Sequence, residues 1–595
     1  ADAQFAALLG ERLAAPAAAD EPGAPSARGS AASPSLGKPS ASAPEGEAAE
    51  PPAPKLGLFR VFRDPERNKS FWRYVSGYSI FLLGFEMYVV GLPYLISSMT
   101  TNSLKEHKDP RAGSAEAVKE LIRSNRSLSR IAHWTAQLFS YALIPLFTRG
   151  QGKDGPRKWL VRSMLVRAAV LAAVPALFFA TGAMSLHAAM WVLFGLIAAQ
   201  SFFQGISVTT EGAATTRLLG DASVTTEERT KANSILTIIG SVIAIVGPLV
   251  AGQIALIGPL FGKSGVGGAV IYGLYAGTVA IAGLIYATIR MFAGSSAADA
   301  AAAGGASAAP APHGLGGTLK SLWASIRDGS RMILKDRLLR TMLLMSMISS
   351  LFSDPLVFNV LPEYIGNLAA KSGTLGAVLS VPGLGWFLKA MTATPMGNFA
   401  LMVVMASVGS IVATLLMKPA TRLAEKLGFK SDAAKTVPFY FLAALEAPLF
   451  LLMIHTPTLL GAVALYGLQA LVVGFIGLAI SGLYQKDLGA HDGADINKIL
   501  AADSLVGIVA AIASTFVYGF VLKDIAIGTS LLIAAVATGA VSVLRLAAPF
   551  LAFTKAERRG SAPAPAALPG PPPPAHAKPL NGEHRGPNSI LSNHL

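Results

Sequence analysis

Apolar runs of about 20 residues recur along this chain, and each is long enough to cross a bilayer as a helix. Hydrophobic residues make up 52% of its 595 positions and charged residues 14%, against roughly 25% charged in ordinary soluble domains. The charges crowd the two ends and a few short loops, so the shortage falls on the runs themselves. A string of soluble domains is excluded. The chain is expected to be an all-α membrane protein.

The runs lie near residues 74–98, 131–148, 159–181, 187–209, 234–259 and 267–291, and again near 341–365, 398–417, 437–456, 458–484, 499–522 and 526–553. Residues 373–391 are apolar too, but Pro382, Gly383 and Gly385 interrupt them, and they read as a re-entrant or interfacial segment. The count is therefore twelve transmembrane helices in two six-helix lobes, over 74–292 and 337–555. Around them lie an Ala/Pro-rich tail over 1–55, a basic interfacial segment over 56–73 and a linker with a basic amphipathic stretch over 293–336. A Pro-rich tail covers 556–595. Both tails have the composition of disordered segments. The chain opens on Ala1, as a processed or trimmed start would.

The two sets also resemble each other. GFEMYVVGLPYLI, with Glu86 and Pro93, returns as FSDPLVFNVLPEYIG, with Asp354 and Pro362. Asn233-Ser-Ile-Leu236 opens one run and Asn497-Lys-Ile-Leu500 opens its counterpart. Repeats of this kind build two-lobed transporters whose binding sites lie between the halves.

Orientation follows from the basic residues. Arg60, Arg63, Arg67, Lys69 and Arg73 precede the first run; Arg149, Lys153, Arg157 and Lys158 follow the second; Lys418, Arg422, Lys426 and Lys430 follow the eighth. The positive-inside rule puts these loops and both termini in the cytoplasm, as in a bacterial inner membrane. The long connection 99–130 is also basic, and SAEAVKELIRSNRSLSR within it reads as a surface helix on the external side. The net charge of +15 thus belongs to topology and not to nucleic acid, which would need a solvated basic face. With no cysteine, disulfides, thiolate metal sites and thiol nucleophiles are excluded. No histidine pair has metal-binding helical spacing, no GxxxxGK[ST] loop is present, and no nucleophile–base constellation stands out. An enzyme, a resident metal and a cofactor are not expected.

Six plus six helices with a basic central linker resemble the major facilitator superfamily over residues 70–555. Gly240, Gly247, Pro248 and Gly252 are similar to its antiporter motif, in which small residues let helices approach and proline bends one of them. The charged loops holding Asp154 and Arg157, and Glu425 and Lys426, resemble the family's cytoplasmic gate. Span four departs from the pattern: the family's arginine near Gln204-Gly205 is replaced by Ser201. The nearest resemblance is to bacterial drug and siderophore exporters, on the Gly-Pro motif and the VLPEYIG ending.

Ionisable groups at membrane depth are costly and usually functional. Glu86 and Asp354 sit inside apolar spans, with Arg545 as a base that could pair with either. Glu446 is a further inward proton site, and Asp503 lies near a span's end. Tyr88, Gln137, Asn359 and Gln469 are polar cavity groups. Arg162 and Arg167 are expected to snorkel to the interface. The resulting expectation is a monomeric, proton-coupled secondary transporter exporting a small amphipathic or cationic molecule. A ferroportin-like divalent-metal exporter and a non-transporting membrane scaffold are the alternatives.

Overall fold

Capping side chains and prolines set where several helices begin. Asp64 accepts from the Glu66 amide ahead of Pro65, Thr394 from the Gly397 amide ahead of Pro395, and Ser431 from the Ala434 amide. These satisfy amides that have no partner in the first turn. The structure is a computed structural model, which describes residues 60–148, 155–219, 224, 226–257, 265–289, 314–372, 391–429, 431–488, 493–522 and 525–553. The two tails, Asp154 and the segment 373–390 lie outside these residues.

The first lobe holds α1 (Pro65–Glu106), α2 (Ala115–Thr148), α3 (Gly155–Ala180), α4 (Leu186–Leu219), α5 (Thr226–Ile254) and α6 (Val266–Ala287). The linker contributes α7 (Gly314–Lys335). In the second lobe, α8 (Arg337–Pro355) continues through a π-turn at Leu356–Val360 into α9 (Leu361–Ser372). There follow α10 (Pro395–Lys426), α11 (Asp432–Phe441), a 3-10 turn, α12 (Glu446–His455) and α13 (Leu459–Leu488). Last come α14 (Gly493–Phe516), a second π-turn at Val517–Val521, and α15 (Ile527–Ala552). Among the described residues there is no strand, and eleven helical stretches are long and apolar enough to cross a membrane. The expected twelfth, α2, is helical over 34 residues but is too polar to qualify. Counting each interrupted helix once, the two lobes hold six long helical units apiece.

Two of the expected boundaries shift. The first helix opens at Pro65, so the second half of the basic segment 56–73 forms its initial turns. It runs 42 residues, about 63 Å at 1.5 Å per residue, well beyond a hydrocarbon layer of about 30 Å. The second shift is α2, which starts at Ala115 inside the supposed external loop. For reference, the face where α1, α3 and α5 begin is called proximal, and the opposite face distal.

Glycines at two-turn spacing join α1 to α6. A Cβ at Gly77 would overlap the Tyr286 ring, one at Gly84 would overlap Thr278 and Tyr275, and one at Gly91 would press on Ile271. Small residues allow this close approach. The second lobe repeats the device between α10 and α13, where Gly409 lies against the Gly467 carbonyl and Gly474 against Ala413. The lobes meet along two seams, α5 with α10 and α2 with α14. Replacing Gly84 by Leu should lower stability by about 1–3 kcal/mol, the usual cost of overpacking. Thermal unfolding of the purified protein in detergent would show it, and an unchanged midpoint would refute the glycine groove.

Candidate functional site

Among the long helices of the first lobe, the least apolar lies at the seam between the lobes. Along α2, Arg123, Arg126, Arg130, His133 and Gln137 follow one another at spacings of three, four, three and four. That spacing stacks side chains on one helix face. Asn125, Arg126, Ser127, Ser129, Arg130 and His133 are all buried. The expectation of a surface helix over Ser114–Arg130 is therefore corrected for its second half: Ser114–Glu116 and Lys119 are exposed, whereas from Asn125 on the polar face is buried.

Each side chain of the stripe has its own partners. Arg123 donates from Nε and Nη2 to the two oxygens of Glu363 at 2.9 and 3.0 Å, and from Nη1 to the Ile525 carbonyl at 2.7 Å. Arg126 donates to the Pro93 carbonyl at 3.1 Å, to Ser97 Oγ at 2.7 Å and, at a long 3.5 Å, to the Asn359 carbonyl. Arg130 places its guanidinium 4.0 Å from the centre of the Phe358 ring and 5.1 Å from that of Trp134. Asn359 Nδ2 donates to Ser127 Oγ at 3.1 Å, and Ser124 Oγ donates to the Gly519 carbonyl at 3.3 Å. Nearby, Tyr94 donates to the Pro395 carbonyl at 2.8 Å. Residues 359, 363, 395, 519 and 525 all belong to the second lobe, so these bonds close the distal end across the lobe boundary.

Both π-turns of the second lobe face this stripe. One carries Phe358 and Asn359 and follows Pro355, whose missing N–H breaks the regular helical ladder. The other carries Gly519, where a Cβ would overlap Ser127. π-Turns inside helices are frequent at functional sites, and here two of them meet one helix.

Deeper in the first lobe a chain of bonds ends on His133. Arg167 donates from Nη2 to the Tyr275 hydroxyl and from Nε to Gln200 Oε1, the latter at 3.1 Å. Gln200 Nε2 donates to Ser201 Oγ at 2.9 Å, and Ser201 Oγ lies 2.6 Å from His133 Nδ1. The Ser201 proton then has His133 Nδ1 as its acceptor, because leaving a buried hydroxyl proton without an acceptor is costly. The ring proton consequently sits on Nε2. Arg167 is fully buried, which corrects the expectation that it snorkels. It fills a polar pocket among α1, α3, α4 and α6, with Phe81 and Tyr275 rings beside it. Arg162 is exposed, near Trp159. Span four lacks an arginine at Ser201, yet a guanidinium from the neighbouring helix reaches the adjacent Gln200.

The other expected residues fall in several places. Glu86 is buried in α1 and backs onto α5, where a Cβ at Gly247 would overlap its own Cβ. Tyr88 is buried against the rings of Tyr272 and Tyr275. Gln137 is buried and its carbonyl accepts from Ser140. Asp354 is in the last turn of α8. Within the Gly-Pro motif, Gly247 serves α1, Gly252 lies against Met391 and Ala400 of the other lobe, and Gly240 has only loose contact with Leu82 and Tyr78. Pro248 is buried within α5. Glu446 pairs with Arg545 at 2.5 Å, so that base is engaged between α12 and α15 rather than with Glu86 or Asp354. Arg157 caps α6 through the Ile289 carbonyl. Glu425 binds Lys435 at 2.6 Å, and Lys426 is exposed. Each of these proximal contacts stays within its own lobe.

Two features do not emerge from the sequence alone. The α2 stripe shows in its spacing, but its charge reads as that of a loop. Glu211, which accepts from Tyr74 and Tyr286 at 3.2 Å each, sits in a stretch that reads as the end of span four. Among the described residues, no group of three or more His, Asp or Glu could hold a metal ion.

No family model and no curated protein matches the sequence. Similar folds occur among solved structures. A bacterial homologue of the iron transporter ferroportin, in an inward-facing state, is 12% identical over 81% of this chain and 98% of its own, with a TM-score of 0.50. The nucleoside transporter NupG is 13% identical over 80% of this chain and 99% of its own, with a TM-score of 0.47. The two-lobed helical fold is shared with the ferroportin homologue. At such identities the likeness is one of fold alone.

Removing one partner of a buried ion pair leaves an uncompensated charge and costs about 3–5 kcal/mol. Glu446→Gln should therefore destabilise the protein by roughly that amount, and the double change Glu446→Leu, Arg545→Leu should recover most of it. Denaturation of the single and double variants would show this, and additive losses would refute it.

Proposed function

We propose that the chain is a secondary active transporter that moves a small molecule by alternating access, with Glu86 and Asp354 as its protonatable groups. The observation that carries this is the distal seal. Two lobes joined through a few side-chain bonds at one end can come apart there without disturbing either lobe's glycine-packed interior. Rocking of such lobes about a site at mid-depth is how repeat-built transporters expose it to each side in turn. Glu86 lies on α1, beside the glycine helix α5 that forms one seam, so a change in its charge acts where the lobes move.

Positive-inside bias favours a cytoplasmic proximal face and an external distal face. The seal then closes the external side. Export of a cationic molecule would need acids to dominate the space between the lobes. The buried arginines of α2 weigh against that, and the proposal keeps the proton coupling without the cationic cargo. A ferroportin-like metal exporter draws no support from a three-residue cluster of His, Asp or Glu among the described residues.

The cysteine-free sequence allows direct labelling. Spin labels at exposed Lys119 and Ala370, on the distal ends of α2 and α9, report the opening of the seal. Glu363→Gln should shift the label pair toward longer separations, because Arg123 loses its carboxylate. In the otherwise native protein the distribution should change between acidic and alkaline buffer, and Glu86→Gln should flatten that response. A distribution indifferent to both pH and Glu363→Gln would refute alternating access through this seal.

A further inference from the structure

We propose that the buried face of α2 is an oxyanion site. A small molecule bearing a carboxylate or phosphate would bind Arg126 and Arg130, with the His133 Nε2–H as a third donor. The inference rests on the transport reading and names the class of its cargo.

Arg126 carries the first part of it. Its side chain is buried, yet its bonds all go to neutral oxygens: two carbonyls and one hydroxyl. Buried charges are normally paired, because removing a guanidinium from water costs several kcal/mol that only a counter-charge in good geometry recovers. The Glu363 carboxylate is within electrostatic range of Arg126, but it directs both oxygens to Arg123. One bond to Arg126, from the Asn359 carbonyl, is at the limit of hydrogen-bond length. Arg126 is thus a buried cation with two ordinary bonds inside its own lobe and one weak, replaceable bond across the lobe boundary.

Its neighbour shows what the stripe prefers. Three residues earlier, Arg123 grips a carboxylate in the forked, two-bond geometry that guanidinium and oxyanions share. Glu363 acts there as a tethered stand-in for a ligand, bound when the distal end is closed. The surroundings reinforce the sign of the site. Arg167, fully buried, has only neutral hydrogen-bond partners and an Nη1 without a hydrogen bond, with the Glu211 carboxylate in electrostatic range as its one acid. Arg130 and Arg167 both act electrostatically on His133. The relay through Gln200 and Ser201 leaves the imidazole with its proton on Nε2, as a donor.

Binding would also do mechanical work. An anion on Arg126 replaces the long bond to Asn359 of the other lobe with shorter, charge-assisted ones. A ligand that favours one arrangement of the lobes shifts their populations by its difference in affinity.

The test uses the full-length chain purified in detergent, at constant ionic strength set with chloride. Thermal unfolding and calorimetric titration are run with inorganic phosphate, acetate and succinate, and with tetraphenylphosphonium as the cationic control. At least one oxyanion should raise the unfolding midpoint, and the phosphate and carboxylate arms separate the two sources. Arg126→Gln and Arg130→Gln should each weaken its binding at least ~10-fold, the scale of a lost charged hydrogen bond. Arg126→Lys should retain part of it, which controls for folding. Arg162→Gln, which removes an exposed arginine of α3 outside the stripe, should bind as well as the native chain. The site is refuted if no oxyanion binds, if only the cation does, or if binding survives both glutamine variants. Labels at Lys119 and Ala370 separate the two ideas. Motion with pH but no anion binding sinks the site and spares the transporter; anion binding with immobile labels does the reverse.

Discussion

A helix face bearing three arginines and a histidine can lie at membrane depth only if something other than lipid covers it. Exposed to hydrocarbon, each charge would cost at least ~2.5 kcal/mol on insertion scales. In this chain the second lobe provides the cover. Its two π-turns bring Phe358, Asn359 and Gly519 against α2, and Glu363 closes the outer end. The closure of the lobes, the polarity of α2 and the local distortion of α8 and α14 are therefore one arrangement. The glycine contacts that hold each lobe together, Gly84 with Tyr275 and Gly409 with Gly467, lie away from this seam, which leaves the seam as the place where the molecule can open.

Hydropathy makes most of the fold legible, because crossing a bilayer forces long apolar helices and little else. It fails at the one helix whose burial is not in lipid. Residues 114–130 carry too many charges to read as membrane-spanning, and the charge count overrides a spacing that already marks a single face. Arg167 misleads for a related reason. A lone arginine in an apolar run is expected to reach for the interface, and only the fold shows that Gln200, Tyr275 and Phe81 come from three other helices to receive it. The Gly-Pro motif is legible as packing, but not its division of labour. Gly247 accommodates Glu86 within one lobe, whereas Gly252 meets Met391 of the other. Pairing of Arg545 with Glu446 could not be chosen from sequence, where three carboxylates compete for one base.

The internal repeat is used at the seam in an unequal way. Pro93 ends the first copy's apolar segment and Asn359 lies three residues before the corresponding Pro362. Arg126 donates to the carbonyls of both Pro93 and Asn359. One guanidinium therefore ties equivalent stretches of the two halves together, and it comes from a helix whose counterpart, α10, supplies no matching base: its buried run from Met396 to Val404 is almost wholly apolar. Symmetric lobes alone would leave the midplane symmetric too. The stripe on α2 breaks that symmetry and gives the space between the lobes a positive side.

That polarity bears on the direction of coupling. Had the cargo been a cation, it would compete with protons for Glu86 and Asp354, and competition between two ligands for one site gives exchange. An anion on Arg126 and Arg130 stands in the opposite relation to those carboxylates. On the proposed reading, ionised carboxylates sharing that space repel it and protonated ones do not. Proton and anion then favour each other's binding, and by reciprocity each raises the other's affinity by the same factor. A carrier in which both load together moves both the same way. In the proposed transporter, the sign of charge on one helix face thus decides whether a proton gradient would drive the cargo out or draw it in.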